Sequence, residues 1–193
     1  MNRTAQVKRN TKETKINCEL CLDGGAVEIS TGVGFFDHML NAFAHHGGFG
    51  LKLKVDGDLY VDCHHTIEDT GIVLGMAIKE ALGDRAGIMR FGNSFIPMDE
   101  SLAFCALDVS GRPFLVFDGE FPEERCGDYD TCMTEEFFRA VAFNAGITLH
   151  IKCEYGKNSH HMIEAMYKAF AYALKAAVKS NGTGEVISTK GVL

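Results

Sequence analysis

Apolar and polar residues alternate in the first readable stretch of the chain. Between residues 15 and 29, Ile16, Cys18, Leu20 and Leu22 share one face, which predicts a strand. Asp23-Gly24-Gly25 then reads as a hairpin turn. From 35 to 46 the spacing becomes helical, with Phe35, Phe36, Leu40 and Phe43 on one side and Gly47-Gly48 as the stop. Alternation returns over Leu51 to Val55. Asp56-Gly57-Asp58 is expected to turn the chain into a short strand at Leu59 to Val61. Residues 65–82 carry Ile67, Val73, Leu74, Ile78 and Leu82 at helical spacing and end at Gly83. The second half predicts strands at 102–109 and 113–119, a helix over 134–145, a strand at 147–153 and a long helix over 160–179. Each half thus reads as two strands, a helix, two strands and a helix, with the last strand short in the second half. Helices covering an antiparallel-rich sheet give an α+β layered fold.

The order repeats because the sequence does. His64-His65-Thr66-Ile67-Glu68 returns 96 residues later as His160-His161-Met162-Ile163-Glu164. Upstream, His38 to Ala44 aligns with Glu136 to Ala142, and Gly48 to Lys54 with Gly146 to Lys152, at an offset of 98. Further upstream, Glu13 to Gly24 can be laid on Glu100 to Gly111. Matches that keep one order point to duplicated half-domains, 1–92 and 93–193, joined near Gly92-Asn93.

Composition narrows the class. At 193 residues and 46% hydrophobic the chain can build a real core, and its net charge of −7 disfavours a nucleic-acid partner. No apolar run suggests a signal peptide or membrane span. The 7 cysteines are scattered with no C-x-x-C pair, which suits reduced thiols and a cytoplasmic location.

The histidine pairs carry the chemistry. Helix residues three or four apart share a face, while neighbours diverge by about 100°. His64 or His65 can therefore hold an ion with Glu68, but both rings of a pair cannot reach one ion. Each pair is expected to serve two ions, so that each half borrows ligands from the other half or another subunit. His38 is a natural extra ligand, Asp37 could hold its ring from behind, and Glu136 is its repeat-mate. Nitrogen and carboxylate donors without thiolate disfavour a closed zinc site and suit an octahedral Mn²⁺ or Fe²⁺ site with open positions. A lone His-His pair is ordinarily a surface accident. Two pairs at matching positions of a repeat, each with Glu at one offset, point to metal. By pattern alone His45 is structural or superficial, His46 is undecided, and His150 packs or faces solvent from a strand. Glu13, Arg90 and Arg112 would be surface charges, and Gly156-Lys157-Asn158 is the turn delivering His160.

Five segments together resemble the imidazoleglycerol-phosphate dehydratase family: Thr11-Lys12-Glu13-Thr14, Phe36-Asp37-His38-Met39-Leu40, His64 to Asp69, Gly156 to His161, and Ser188-Thr189-Lys190-Gly191-Val192-Leu193. The resemblance covers nearly the whole chain. It implies helices packed between two four-stranded mixed sheets, and a large cubic homo-oligomer of trimers, about 24 subunits, with active sites at subunit interfaces. The implied reaction is dehydration of imidazole glycerol phosphate to imidazole acetol phosphate in histidine biosynthesis. In it, two Mn²⁺ ions hold the substrate ring as an imidazolate, which expels the neighbouring hydroxyl through a diazafulvene-like intermediate. The implied ligands are His38, His64, His65, Glu68, His160, His161 and Glu164, with Glu136 an eighth where the family pattern has histidine. The implied substrate contacts are Glu13, His46, Arg90, Arg112, Lys168, Ser188 and Lys190. The last five make chemical sense as a phosphate clamp, and Glu13, then His46, as the proton shuttle. A binuclear metal phosphoesterase and a metal-binding assembly protein without turnover are the competing readings.

Overall fold

The computed structural model describes residues 3–189. Its first half runs β1 (Thr4–Asn10), β2 (Thr14–Cys21), β3 (Val27–Ser30), α1 (Gly34–Gly47), β4 (Gly50–Gly57) and α2 (His64–Leu82). The second runs β5 (Phe91–Met98), β6 (Ser101–Asp108), β7 (Phe114–Asp118), the small hairpin β8 (Arg125–Cys126) and β9 (Tyr129–Asp130), α3 (Met133–Ala145), β10 (Thr148–Tyr155) and α4 (Ser159–Val178). Without β8 and β9, both halves are three strands, a helix, a strand and a helix. The two sheets have the same order, β1-β2-β4-β3 and β5-β6-β10-β7, each antiparallel except for one parallel edge pair. Strand register follows the sequence repeat: Leu20 faces Leu51 in the first sheet, and their repeat-mates Leu107 and Leu149 face each other in the second.

Four features differ from the pattern-based expectation. The turn at Asp23-Gly24-Gly25 is not a hairpin, because β3 leaves β2 and pairs in parallel with the far side of β4. Gly24 and Gly25 adopt φ of 103° and 145°, a crossing that L side chains rarely allow. The true hairpin partner of β2 is β1. Only Ala5 and Val7 are buried in β1, the rest being the polar outer face and charged edge expected of an exposed edge strand. Residues 59–61 form a turn rather than a strand: β2 and β3 already flank β4, and Tyr60 is 90% exposed. Gly92 and Asn93 lie inside β5 rather than at a joint.

Alternation does not predict β5 because its pattern is inverted. Its inward face carries Gly92 and Ser94, while Phe91 and Phe95 point outward. A Cβ on Gly92 would lie 1.9 Å from the Ala173 carbonyl, so only glycine lets β5 approach α4 this closely.

The helices form the interior. α2 packs on β1 and β2, α1 on β3, α4 on β5 and β6, and α3 on β7; α2 meets α3 and α1 meets α4. At Gly75 of α2 an added Cβ would come within 2.7 Å of the Val141 carbonyl, so the α2–α3 contact is backbone against backbone. With both sheets covering them, the helices keep only narrow exposed stripes. On α4 the stripe carries His160, His161, Lys168 and Tyr172, and on α2 His64, His65, Glu68, Ile72 and Met76. The outer sheet faces also differ. Gln6, Lys8, Lys15, Glu19, Lys52 and Lys54 cover the first, and Phe91, Phe95 and Phe114 stand exposed on the second.

Candidate metal centre

The N-terminus of α4 is held by three side chains. Asn158 caps it, accepting from the His160 and His161 backbone N–H groups. Glu123 accepts from the Ser159 N–H at 2.9 Å, and Glu100 Oε1 from the N–H groups of Lys157 and Asn158 at 3.1 and 3.0 Å. From this fixed turn His160 reaches Glu164, one helical turn on, with Nε2 3.3 Å from Oε2. His38 of α1 comes to the same oxygen at 3.4 Å. Ligand atoms of His38, His160 and Glu164 all lie within 4.8 Å of one another. Glu164 is 6% exposed and its other oxygen accepts from Lys168 Nζ at 2.6 Å. Burial alone would push this carboxyl up, but the Lys168 hydrogen bond and charge, with His38 and His160, hold it below its ordinary value.

The two histidine pairs divide as helix geometry requires. His64 lies 3.4 Å from Glu68 Oε2, whereas His65 turns to Asp58 at 3.0 Å and lies 3.9 Å from Glu13. His160 joins the cluster, whereas His161 turns to Glu100 at 2.8 Å and lies 3.7 Å from Asp99. Planes of paired rings stand 73° and 79° apart. Asp58 and Glu100 each accept from an Nδ1, which fixes the tautomer and aims Nε2 outward as a metal-ligating ring needs. Sequence pattern does not single out these two carboxylates or Asp99, although Glu100 stands opposite Glu13 in the repeat. Asp99 has φ of 49° and Arg90 of 68°, so among the described residues two of the three left-handed non-glycine residues adjoin site groups.

Other candidates fall elsewhere. Glu136, the repeat-mate of His38, lies on α3 with Arg139 Nε 3.6 Å away and is not in the cluster. Asp37 does not back His38; it accepts from the Thr31 N–H and Oγ at 2.8 and 2.6 Å, tying the turn before α1. His46 ends α1 with Nδ1 3.4 Å from the Tyr172 hydroxyl. Burial, then the charges of Lys168 and His45, lower its pKa and favour the neutral ring. His45 is exposed, and His150 is exposed on β10.

Arg90 and Arg112 form a separate cluster. Arg90 pairs with Asp108 at 2.7 Å, Arg112 reaches the same carboxylate at 3.4 Å, and Arg90 Nη1 donates to the Ile187 carbonyl at 2.6 Å, next to Ser188. Lys190 lies outside the described residues. The Arg90 backbone N–H donates to Ala177 O, at the far end of α4 from His160. Seventeen residues of helix separate those ends, roughly 25 Å.

The donor set suits a divalent cation. The three convergent donors, two imidazoles and a buried carboxylate, could hold a first ion of the Mn²⁺ class, and His64 with Glu68 could begin a second. Acidity should oppose loading. The Asp58 hydrogen bond raises the pKa of His65 and the Glu100 hydrogen bond that of His161, while Glu100 itself is held down to about 2 and stays ionised. A raised value keeps the proton on to higher pH, and a cation needs the ring neutral. Mn²⁺ affinity is therefore expected to start falling above the ordinary imidazole value of about 6.5. Glu100→Gln should move that onset downward. Mn²⁺ titrations over a pH series check this, and an onset unmoved by Glu100→Gln counts against it.

Comparison with known proteins agrees with the geometry. Residues 31–174 match the profile of the family described as imidazoleglycerol-phosphate dehydratase. The chain is 59% identical to the imidazoleglycerol-phosphate dehydratase of Acetivibrio thermocellus over 195 residues, covering 100% of both chains. It is 59% identical to that of Clostridium acetobutylicum, covering 98% of this chain and 97% of the relative. The crystal structure of the Staphylococcus aureus enzyme superposes with a TM-score of 0.85 at 42% identity, over 92% of this chain and 99% of the other. The Pyrococcus furiosus structure gives 0.85 at 37%, over 97% and 100%. No helix among the described residues is long and apolar enough to cross a membrane. Duplicated βββαβα halves, split histidine pairs and full-length identity lead to one assignment: the chain belongs to the imidazoleglycerol-phosphate dehydratase family, hydro-lyases of histidine biosynthesis.

Proposed function

We propose that this chain dehydrates imidazole glycerol phosphate to imidazole acetol phosphate, using two divalent cations of the Mn²⁺ class in a site completed by neighbouring subunits. The observation that carries this reading is the split of the histidine pairs. Each pair sends one ring into its own helix's carboxylate and aims the other away, where a second chain could use it. His38, His160 and Glu164 converge on one side and His64 pairs with Glu68 on the other, to which the repeat assigns Glu136 as the mate of His38, with His65 and His161 as the rings offered outward.

The reaction removes a carbon-bound proton that no carbonyl acidifies, and a hydroxyl leaves as water. Bound cations supply the Lewis acidity that makes the ring N–H proton easier to lose. The chain's own groups move the remaining protons. Glu13, 3.9 Å from His65 and half exposed, can receive the carbon proton or return one to the leaving hydroxyl. His46, favoured in the neutral form, is the second group able to accept. The enol that results ketonises to the product. Arg90 and Arg112, with Ser188 and Lys190, supply charge-assisted donors for the phosphate, and Lys168 approaches it from the ligand side.

Within one chain the arginine cluster and His160 lie at opposite ends of α4, much farther apart than a phosphorylated three-carbon chain carrying an imidazole can reach. That separation supports sites shared between subunits, which we assign to a large homo-oligomer of trimers. So does the exposed aromatic face of β5 and β7. The free thiols fit a reducing compartment such as the cytoplasm.

The test is an assay of the purified protein with imidazole glycerol phosphate and Mn²⁺, before chelation, after it, and after Mn²⁺ is restored. Imidazole acetol phosphate should form, cease and return. Free inorganic phosphate as product would favour the phosphoesterase reading instead.

A further inference from the structure

Duplication lets each half serve as a control for the other, and the two ligand groups differ in charge. On α4, Glu164 has Lys168 one turn further on, and the two are joined at 2.6 Å. Both side chains are largely buried, at 16% and 9% exposure, so solvent screens the lysine charge poorly. At the offset of 96 that relates the helices, the equivalent of Lys168 is Ile72, which has no charge to offer Glu68. The third position differs as well. His38 meets His160 and Glu164 across the α1–α4 contact, and its counterpart on the α2–α3 contact is the carboxylate Glu136.

Formal charge follows. Glu164 and Lys168 cancel, so the His38 group sums to zero. Glu68 and Glu136 give the other group minus two; Arg139, 3.6 Å from Glu136, is itself paired with Glu135 at 2.5 Å, so that pair cancels. Further along the stripes the charges match, with Lys79 opposite Lys175 in the repeat. The rings offered outward bring similar surroundings to whichever group they complete: His65 comes with Asp58 and Glu13, His161 with Glu100 and Asp99. The difference between the two groups therefore survives assembly.

We infer that the two cation sites are unequal by construction: the His64–Glu68–Glu136 site loads first and tightly, and the His38–His160–Glu164 site loads second because Lys168 competes for its carboxylate. Lys168 also holds one oxygen of Glu164, leaving Oε2 to face His38 and His160, so Glu164 would ligate through a single oxygen. Glu68 has no such restraint. The weaker ion would be the exchangeable one. This rests on the two-cation reading above.

The experiment is a Mn²⁺ titration of the metal-stripped full-length protein, with the free ion followed by electron paramagnetic resonance. Wild type should bind two ions per chain in two affinity classes at least about ten-fold apart. Lys168→Ile should tighten the weaker class and close most of the gap, and Glu136→Gln should weaken the tighter class. Ile72→Lys should lower the tight class toward the weak one. Two ions in a single class, or a gap unmoved by both Lys168→Ile and Glu136→Gln, would overturn this inference and leave the two-cation reading standing. Fewer than two ions per chain would overturn both.

Discussion

His65→Ala and His161→Ala should each reduce turnover to below about one per cent of wild type. Carboxylates that merely orient a metal-bound histidine are commonly worth 10–100-fold, so a directly ligating ring is expected to cost at least about 100-fold. The two rings point away from the carboxylates of their own helices and toward Asp58 and Glu100. Removing them leaves the His38–His160–Glu164 cluster of the same chain untouched. A graded series follows: Asp58→Asn and Glu100→Gln should lose roughly 10–100-fold, while His45→Ala, exposed and away from the cluster, should stay near wild type. Turnover with Mn²⁺ content measured on the same samples separates lost ligation from lost folding. Either histidine variant keeping substantial turnover at normal metal content would remove that ring from the site.

The second large effect is a recovery. Arg90→Ala and His160→Ala proteins should each be inactive alone, the first through loss of the phosphate contact and the second through loss of a ligand. The two positions are separated by the length of α4 within one chain. If one subunit supplies the arginine and another the histidine, unfolding and refolding the variants together should rebuild some intact sites. With equal amounts and random assembly about one quarter of sites draw each group from the chain that kept it. Activity near that fraction, absent when the separately refolded proteins are simply mixed, is the expected result. No recovery in verified mixed oligomers would mean that each chain furnishes both groups to one site, and the interfacial reading would fail.

The repeat makes much of the molecule legible in the sequence alone. Helical spacing places the four helices of the described residues to within a residue or two at most ends, and the common offset ties His64 to His160 and Glu68 to Glu164. The divergence of neighbouring side chains on a helix was enough to say that each pair must split. Pattern failed where inward positions were not apolar. β5 turns glycine and serine to the helices and phenylalanine to the outside, so its alternation pointed the wrong way. Local pattern places β3 in a hairpin because a sequence cannot show that a strand crosses its neighbour to pair beyond it.

At the site, residue type and spacing determined by themselves which side chains are ligand candidates, because periodicity acts within one helix. Tertiary structure decided which of them meet. His38 reaches Glu164 only because α1 lies against α4, and Lys168 takes one oxygen of that carboxylate by one-turn spacing and burial together. The carboxylates behind His65 and His161 lie on turns whose approach to the helices depends on strand pairing, which no local pattern encodes. The distance between the arginine cluster and the histidines likewise emerges only when β5 is laid along the C-terminal end of α4. Local periodicity writes the elements and their chemistry, and long-range packing selects the partners.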